Sequence, residues 1–204
     1  MTDTILIHGY AIELQTWFRP KKDELAGFYA HAEELEAGKA KVFRWTISRD
    51  LSFLSAFNPL AYQQLYEEER QKAQDLVTLK DLKRMLDEEQ PSNIICHSMG
   101  CFLLLEYLIR FEFPVSVKKI VFIQADCTEL ELKASTLLTL PIQFVQVFRF
   151  LDPSLWMSSL YHQQVRLGLH PVKSAKVKNI YKPSFKYFNP HTSVLVDKAF
   201  KNEL

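Results

Sequence analysis

Ser98 lies where a short β-branched apolar run, 93–97, turns directly into a longer apolar segment, 99–107. This order predicts a strand, a sharp turn and a helix, the geometry of a nucleophile elbow that presents a serine hydroxyl at the turn. The turn needs small residues two positions before and two after the serine, because the two backbones nearly touch there. Gly100 meets this need, and Cys96 replaces the commoner glycine. A buried strand followed by a helix-capping serine would give a similar pattern and is the structural alternative.

A second stretch suits the same chemistry. The apolar run from Thr4 ends in His8 and Gly9 and predicts an early strand followed by a turn. Acyl transfer needs two backbone amides to hold the oxyanion, one after the nucleophile and one from the loop after an earlier strand. Met99 would supply the first amide and Tyr10 or Ala11 the second. Gly9 would let the backbone turn towards the serine. The alternative is a plain strand–turn junction with a core histidine at position 8.

A serine hydroxyl is a poor nucleophile at neutral pH, so it needs a histidine to take its proton and an acid to orient that histidine. In the chain order serine, acid, histidine, the candidates are the acids Asp126 and Asp152 and the histidines His162, His170 and His191. Active-site loops lie at the carboxyl ends of parallel strands. Asp152 and His191 each follow a predicted strand, so we expect these two residues to complete the site, with Asp126 as the alternative acid.

The ordinary explanations of these residues stay open. Asp152 precedes Pro153 and also fits a helix cap, and His191 also fits an ordinary loop histidine. His162 and His170 flank a probable helix, which favours surface or capping roles. We expect His97 to pack under the site or line it rather than to act as the base, because its position in the strand points it away from its neighbour.

The elements that would position these residues alternate along the chain. Helical spacing predicts a helix over 22–35 that stops at Gly38, one long helix over 62–89, and a helix after Ser98 to about Phe111. Strands are predicted at 4–10, 41–45, 93–97, 119–126, 144–152 and 177–181. This alternation predicts a single α/β domain over 1–204, with about six mostly parallel strands and helices on both faces.

Three apolar segments have two interpretations each. Residues 130–144 fit a cap or lid helix and a buried helix equally well. Trp17 and Phe18 would either wall a substrate pocket or belong to the core. The segment 155–161 hints at an apolar acyl pocket in the same ambiguous way.

Composition narrows the function classes. The net charge of +1 over 204 residues gives no reason to expect a nucleic acid partner. Three scattered cysteines argue against a disulfide framework or a zinc site and favour a reducing compartment. No apolar run is long enough for a transmembrane helix, and no signal segment precedes the first strand. We therefore expect a cytoplasmic protein without cofactor or metal, and we read the terminal Lys-Asn-Glu-Leu as coincidence. The oligomeric state is undetermined.

Taken together, these motifs resemble the α/β-hydrolase superfamily of lipase- and esterase-like serine hydrolases over nearly the whole chain. The resemblance lies in 7–10, Trp45, the elbow, Ala125-Asp126, Asp152 and His191. More narrowly, the chain resembles a bacterial branch of uncharacterised α/β-hydrolases, through the features Tyr66, Arg70, Ala73, 97–100 and 166–168. That narrower resemblance implies no particular substrate. The departures are Cys96 in the elbow, Ala11 where the branch tends to carry asparagine, and a short chain that lacks the first two strands of the full fold.

The resemblance and the motifs imply a serine hydrolase that cleaves a small-molecule carboxylic ester or thioester, with an apolar acyl part, through an acyl-serine intermediate. Two alternatives remain. The same triad would also serve an acyltransferase or an amidase, and the fold would also serve a non-catalytic binding module, because a fold does not dictate function.

Overall fold

The structure is a computed structural model. It describes residues 2–9, 28–45, 59–183, 191, 195 and 197. Six strands form one sheet in which every pairing is parallel, in the order β2-β1-β3-β4-β5-β6. The strands are β1 Thr4–Ile7, β2 Ala40–Phe43, β3 Asn93–His97, β4 Lys119–Ile123, β5 Gln143–Phe148 and β6 Val177–Tyr181. The central strands are continuous apolar runs because a parallel sheet is covered on both faces. The predicted α/β class with about six mostly parallel strands is confirmed.

The described helices are α1 Ala32–Glu36, α2 Pro59–Gln74, α3 Leu76–Glu89, α4 Met99–Arg110, α5 Glu129–Ala134 and α6 Pro153–His162. One face of the sheet packs against α3 and α4 in the larger hydrophobic core. On the other face, Phe28 and Leu35, the latter in α1, pack against strand residues such as Leu6 and Val121. Helices therefore lie on both faces, as predicted. Gly38 follows α1 with φ of +68°, so the predicted stop signal is correct.

The prediction of one long helix over 62–89 is wrong. Asp75 has an extended backbone (φ −64°, ψ 131°) and divides the segment into α2 and α3. Aspartate favours this conformation at a helix start over a place in a helix interior. Leu76 and Val77, the first two residues of α3 after this break, are exposed.

The segment 130–144 is not one helix. It contains the short α5, a 3₁₀ turn at Leu137–Thr139 and the first two residues of β5. Leu132 and Leu137 are buried in the larger core, whereas Leu130 is exposed. The strands predicted at 119–126 and 144–152 end earlier, at Ile123 and Phe148, which leaves both candidate acids in the loops that follow.

The structure tests two further expectations only for the residues that it describes. Trp17, Phe18 and the first part of the helix predicted over 22–35 lie outside the described residues. None of the helices in the described ranges is both long enough and apolar enough to cross a membrane. The assignment of the whole chain to a single domain stays a prediction.

Candidate active site

Ser98 lies in a strained turn between β3 and α4, with φ of 52° and ψ of −123°. Such a conformation is costly for a residue with a side chain and persists only where the surroundings hold it. Backbone hydrogen bonds hold it here. The Ser98 amide donates to the carbonyl of Ile123 (3.0 Å), and the Ser98 carbonyl accepts from the amides of Cys101 (3.1 Å) and Asp126 (3.0 Å). The strand–turn–helix predicted for this serine is therefore present, and its side chain is nearly buried.

Two glycines let the backbones around Ser98 approach each other. A Cβ on Gly100 would lie 2.5 Å from the carbonyl oxygen of His8, which explains the small residue required after the serine. A Cβ on Gly9 would lie 2.7 Å from the Cβ of Ser98 itself. The end of β1 therefore lies directly against the serine. Cys96, the departure at the other small position, is fully buried within β3.

Of the predicted oxyanion-hole residues, only Met99 lies in the part of the chain that the structure describes. Met99 is the first residue of α4, directly after Ser98, where a helix leaves backbone amides without intrahelical partners. Tyr10 and Ala11 lie outside the described residues. The oxyanion hole therefore stays a prediction.

His8 is a buried core histidine, which is the alternative that the sequence left open for it. Its side chain is buried, its Nδ1 donates to the Gly9 carbonyl (2.7 Å), and burial lowers its pKa to about 4. Trp45 donates from its indole nitrogen to the His8 carbonyl (3.1 Å) and stacks on the imidazole with ring centroids 5.9 Å apart. This tryptophan fixes the end of β1 beside Ser98.

The structure brings Asp152 and His191 together. The Nδ1 of His191 lies 2.7 Å from Oδ2 of Asp152, and Asp152 is fully buried. The carboxylate also accepts from the amide of Leu155 (3.2 Å, on Oδ1) and from the side-chain amide of Gln124 (2.6 Å, on Oδ2). Asp152 is thus both the cap of α6 and the hydrogen-bond partner of His191, so the capping role is present and the catalytic role stays a prediction.

The electrostatics of this pair follow from its surroundings. Burial by itself would raise the pKa of Asp152, but His191 and the donated hydrogen bonds together lower it below its usual range. Burial by itself would lower the pKa of His191, but the Asp152 carboxylate raises it above its usual range. The aspartate is therefore ionised at neutral pH, and it favours the protonated form of the histidine.

His97 contacts His191 from the elbow strand. The two imidazole centroids are 4.8 Å apart, and Nε2 of His97 donates to the backbone carbonyl of His191 (2.9 Å). Burial, together with the nearby His191, lowers the pKa of His97 to about 3, so this ring is neutral. The neighbour of Ser98 therefore holds the backbone of the histidine that Asp152 orients. Sequence reasoning placed His97 near the site but did not identify this contact.

Asp126, the alternative acid, belongs to a different group of side chains. It accepts hydrogen bonds from the hydroxyls of Tyr66 (2.8 Å) and Ser158 (2.7 Å) and forms a buried ion pair with Nε of Arg166 (3.2 Å). Its backbone amide supports the Ser98 turn. His191 is thus hydrogen-bonded to Asp152, while Asp126 anchors α2 and α6 behind the turn.

Among the hydrogen bonds and ring contacts of the described residues, none joins His162 or His170 to Ser98. The ring of His162 packs against Tyr66 with centroids 5.0 Å apart, near Glu67. His170 donates from Nδ1 to the carbonyl of Pro171 (3.2 Å). Both side chains are partly exposed, and their surface or capping roles stay a prediction.

Two residues that support the site were missed. Gln124, with φ of 47°, directly follows β4 and donates from its side-chain amide to Asp152. Gly168 lets the 3₁₀ turn Leu167–Leu169 approach this point, since a Cβ there would lie 2.5 Å from the carbonyl carbon of Gln124. A lone glutamine at the end of an apolar strand was the only sequence signal for the first, and nothing local marked the second. Within the described ranges, no cluster of histidine, cysteine or acidic side chains could hold a metal.

The comparison with protein families agrees with this architecture. A family model for the alpha/beta hydrolase fold matches residues 61–197, a range that includes the elbow, Asp152 and His191. The chain therefore belongs to the α/β-hydrolase family, and the predicted superfamily is confirmed. Members of this family are generally hydrolytic enzymes that act on small molecules, so the fold indicates hydrolase activity. No curated protein matches the chain, and the narrower resemblance to a bacterial branch stays a prediction.

Proposed function

We propose that this protein is a serine hydrolase that cleaves a carboxylic ester or thioester through an acyl-serine intermediate. The observation that carries the proposal is the 2.7 Å contact between His191 Nδ1 and Asp152, with His191 held by the residue next to Ser98. A strained serine at an elbow, a histidine whose backbone is held by the neighbour of that serine, and a buried acid on that histidine support the assignment, because a base and an orienting acid are what activate a hydroxyl.

In acylation, His191 takes the proton of the Ser98 hydroxyl while the oxygen attacks the carbonyl carbon of the ester. Because Nδ1 of His191 is committed to Asp152, Nε2 is the nitrogen that accepts this proton. The carbonyl oxygen becomes an oxyanion held by the amides of Met99 and of Tyr10 or Ala11. When the intermediate collapses, His191 gives the proton to the leaving alcohol or thiol, and the acyl group stays on Ser98.

In deacylation, water repeats the attack. His191 removes a proton from the water, the hydroxide oxygen bonds to the acyl carbon, and the proton returns to Ser98 as the carboxylic acid leaves. The chemistry is complete without a metal or cofactor. Asp152 stays ionised throughout and stabilises the imidazolium that forms at each step, in agreement with its lowered pKa.

The substrate we propose is a small-molecule ester with an apolar acyl part, an inference from the aromatic and leucine-rich composition of residues 17–18 and 130–144. In the second segment, Leu130 is exposed, whereas Leu132 and Leu137 belong to the core. All three cysteines of the chain are free and buried, which suits a reducing compartment, and we place the activity in the cytoplasm.

The decisive experiment is labelling of the purified protein with a fluorophosphonate probe. Wild type should label, and Ser98→Ala, His191→Ala and Asp152→Asn should lose labelling while circular dichroism shows an intact fold. His170→Ala is the matched control for His191→Ala and should label normally.

The other outcomes separate the alternatives. Loss of labelling in Asp126→Asn, with labelling retained in Asp152→Asn, would assign the acid to the loop after β4. Labelling with turnover only when an acyl acceptor or an amide substrate is added would indicate an acyltransferase or amidase. A folded wild type that does not label would refute the proposal and favour a binding module.

A further inference from the structure

A buried arginine lies at the end of the strand that leads to Asp152. Arg149 directly follows β5, three positions before Asp152, and only 2% of its surface is exposed. Arginine is seldom buried this completely. Burial lowers the pKa of Arg149, and the Asp152 carboxylate acts against this effect. Because a guanidinium stays protonated in a protein, Arg149 places a cation in the interior next to the candidate acid.

The hydrogen bonds of Arg149 join the ends of neighbouring segments. Its Nε donates to the carbonyl of Lys182 (2.9 Å), the residue that follows β6. Lys182 in turn donates from its backbone amide to the carbonyl of Phe148 (3.1 Å), the last residue of β5. The backbone amide of Arg149 donates to the carbonyl of Gly168 (2.8 Å), in the 3₁₀ turn that lies against Gln124. The carboxyl ends of β5 and β6 are therefore joined at Arg149.

Both members of the Asp152–His191 pair follow this junction in the chain. Asp152 lies between β5 and α6, and Lys182 precedes His191 by nine positions. The Nε bond of Arg149 thus connects the segment that carries the acid to the residue from which the chain continues to the histidine. Reacting groups tolerate only small misplacements, so a bond that fixes both starting points would help to keep the 2.7 Å contact of the pair.

The charge of Arg149 also acts on His191. The groups that face this imidazole include the carboxylates of Asp152 and Asp126, the Arg149 guanidinium and the neutral ring of His97. Burial lowers the pKa of His191, the two carboxylates raise it, and Arg149 lowers it. A general base must be neutral to accept a proton. The guanidinium therefore opposes the excess protonation that the carboxylates favour.

We propose that Arg149 is a positioning residue for the Asp152–His191 pair, through its bond to Lys182 and its buried charge. The bond holds the backbone on both sides of the pair, and the charge favours the form of the imidazole that accepts a proton. The consequence for the reaction rests on the proposed function, whereas the effect on the pair itself does not.

Two neutral variants separate the bond from the charge. Arg149→Gln places an amide nitrogen where Nε of the arginine lies and keeps a donor for the Lys182 carbonyl, whereas Arg149→Met places a methyl group there. Both variants lose the cation. The pKa of His191, followed by NMR of its imidazole, should therefore rise in both, and the acidic limb of the kcat/KM profile should move to higher pH. Arg149→Lys keeps a cation and should return the pKa of His191 towards that of wild type.

The loss of the bond should appear only in the methionine variant. The plateau value of kcat/KM should fall about 10-fold in Arg149→Met and much less in Arg149→Gln. The downfield proton resonance of the His191–Asp152 hydrogen bond should weaken in Arg149→Met and persist in Arg149→Gln, a readout that needs no substrate.

Arg70→Met is the matched control, because Arg70 is a partly buried arginine of α2 that pairs with Glu131 and lies 3.8 Å from the centroid of the Phe102 ring. It should lower stability and leave the pKa of His191 unchanged.

Three results would overturn the proposal. They are an unchanged pKa of His191 in Arg149→Gln, an equal kcat/KM and downfield resonance in the glutamine and methionine variants, and an equal pKa shift in Arg70→Met. The first of these suffices if Arg149→Met does not fold. A wild type that fails to label with fluorophosphonate would refute the proposed function, while the NMR measurements would still decide the role of Arg149.

Discussion

Gln124 offers a sharp test of how the candidate triad is held. Its side-chain amide donates to Oδ2 of Asp152 at 2.6 Å, the same oxygen that lies 2.7 Å from His191. Gln124→Met keeps the length and the unbranched shape of the side chain and removes the donor. The carboxylate would then lose one of the hydrogen bonds that hold its position and lower its pKa.

The size of the effect follows from the kind of bond. A buried hydrogen bond to a charged group contributes about 1.5–3 kcal/mol. If the transition state depends on the same carboxylate position, kcat/KM should fall about 10- to 100-fold. A carboxylate with one donor fewer attracts the His191 proton more strongly, so the pKa of His191 should rise further. The acidic limb of the pH profile should therefore move to higher pH.

The assay is hydrolysis of a short-chain aryl ester across pH, together with the rate of fluorophosphonate labelling. Gln146→Met is the matched control, because Gln146 is a fully buried glutamine on the neighbouring strand β5 that donates to the carbonyls of Leu167 and His170. We expect this control to lower the melting temperature but to leave the pH profile unchanged. Unchanged kinetics in Gln124→Met, or an equal loss in both variants, would refute the reasoning.

Three further outcomes are expected. Gly9→Ala should slow fluorophosphonate labelling more than 10-fold without unfolding the protein, because the new Cβ would meet the Cβ of Ser98 at 2.7 Å; normal labelling would show that the loop adjusts. Because the pKa of His191 is raised and only the neutral ring accepts a proton, kcat/KM should rise with pH to a plateau, with its midpoint above about 6.5; a profile flat between pH 5 and 8 would contradict this. Arg166→Met should destabilise the protein by about 3–5 kcal/mol in urea unfolding, because it leaves Asp126 as a buried charge without its ion pair; a change below about 1 kcal/mol would mean that water or other groups compensate.

The sequence by itself determined the class of the fold and the local geometry around Ser98. Both depend on short-range information, namely apolar periodicity, the small residue at Gly100 and the alternation of strands with helices. Chain order and the ends of strands were enough to single out Asp152 and His191 as a pair, and the structure places them in contact. That they serve a reaction stays a prediction.

The limits of sequence reasoning appear where a conformation depends on distant contacts. Periodicity continued through Asp75 and predicted one helix, because a break of a single residue leaves the pattern of apolar residues almost unchanged. Likewise, Leu155 and Trp156 are both apolar residues in the sequence, yet Leu155 is buried and Trp156 is about half exposed. Burial depends on which side of α6 meets the rest of the chain.

Only the tertiary structure decided which side chains support the candidate triad. Gln124 meets Asp152 because β4 and β5 are neighbours in the sheet, and His97 meets His191 because the end of the elbow strand lies against a segment far along the chain. Such contacts are set by strand order and close packing, which no local pattern encodes. The chain therefore specified its candidate reacting groups in sequence, while their orientation came from the packing of the whole sheet.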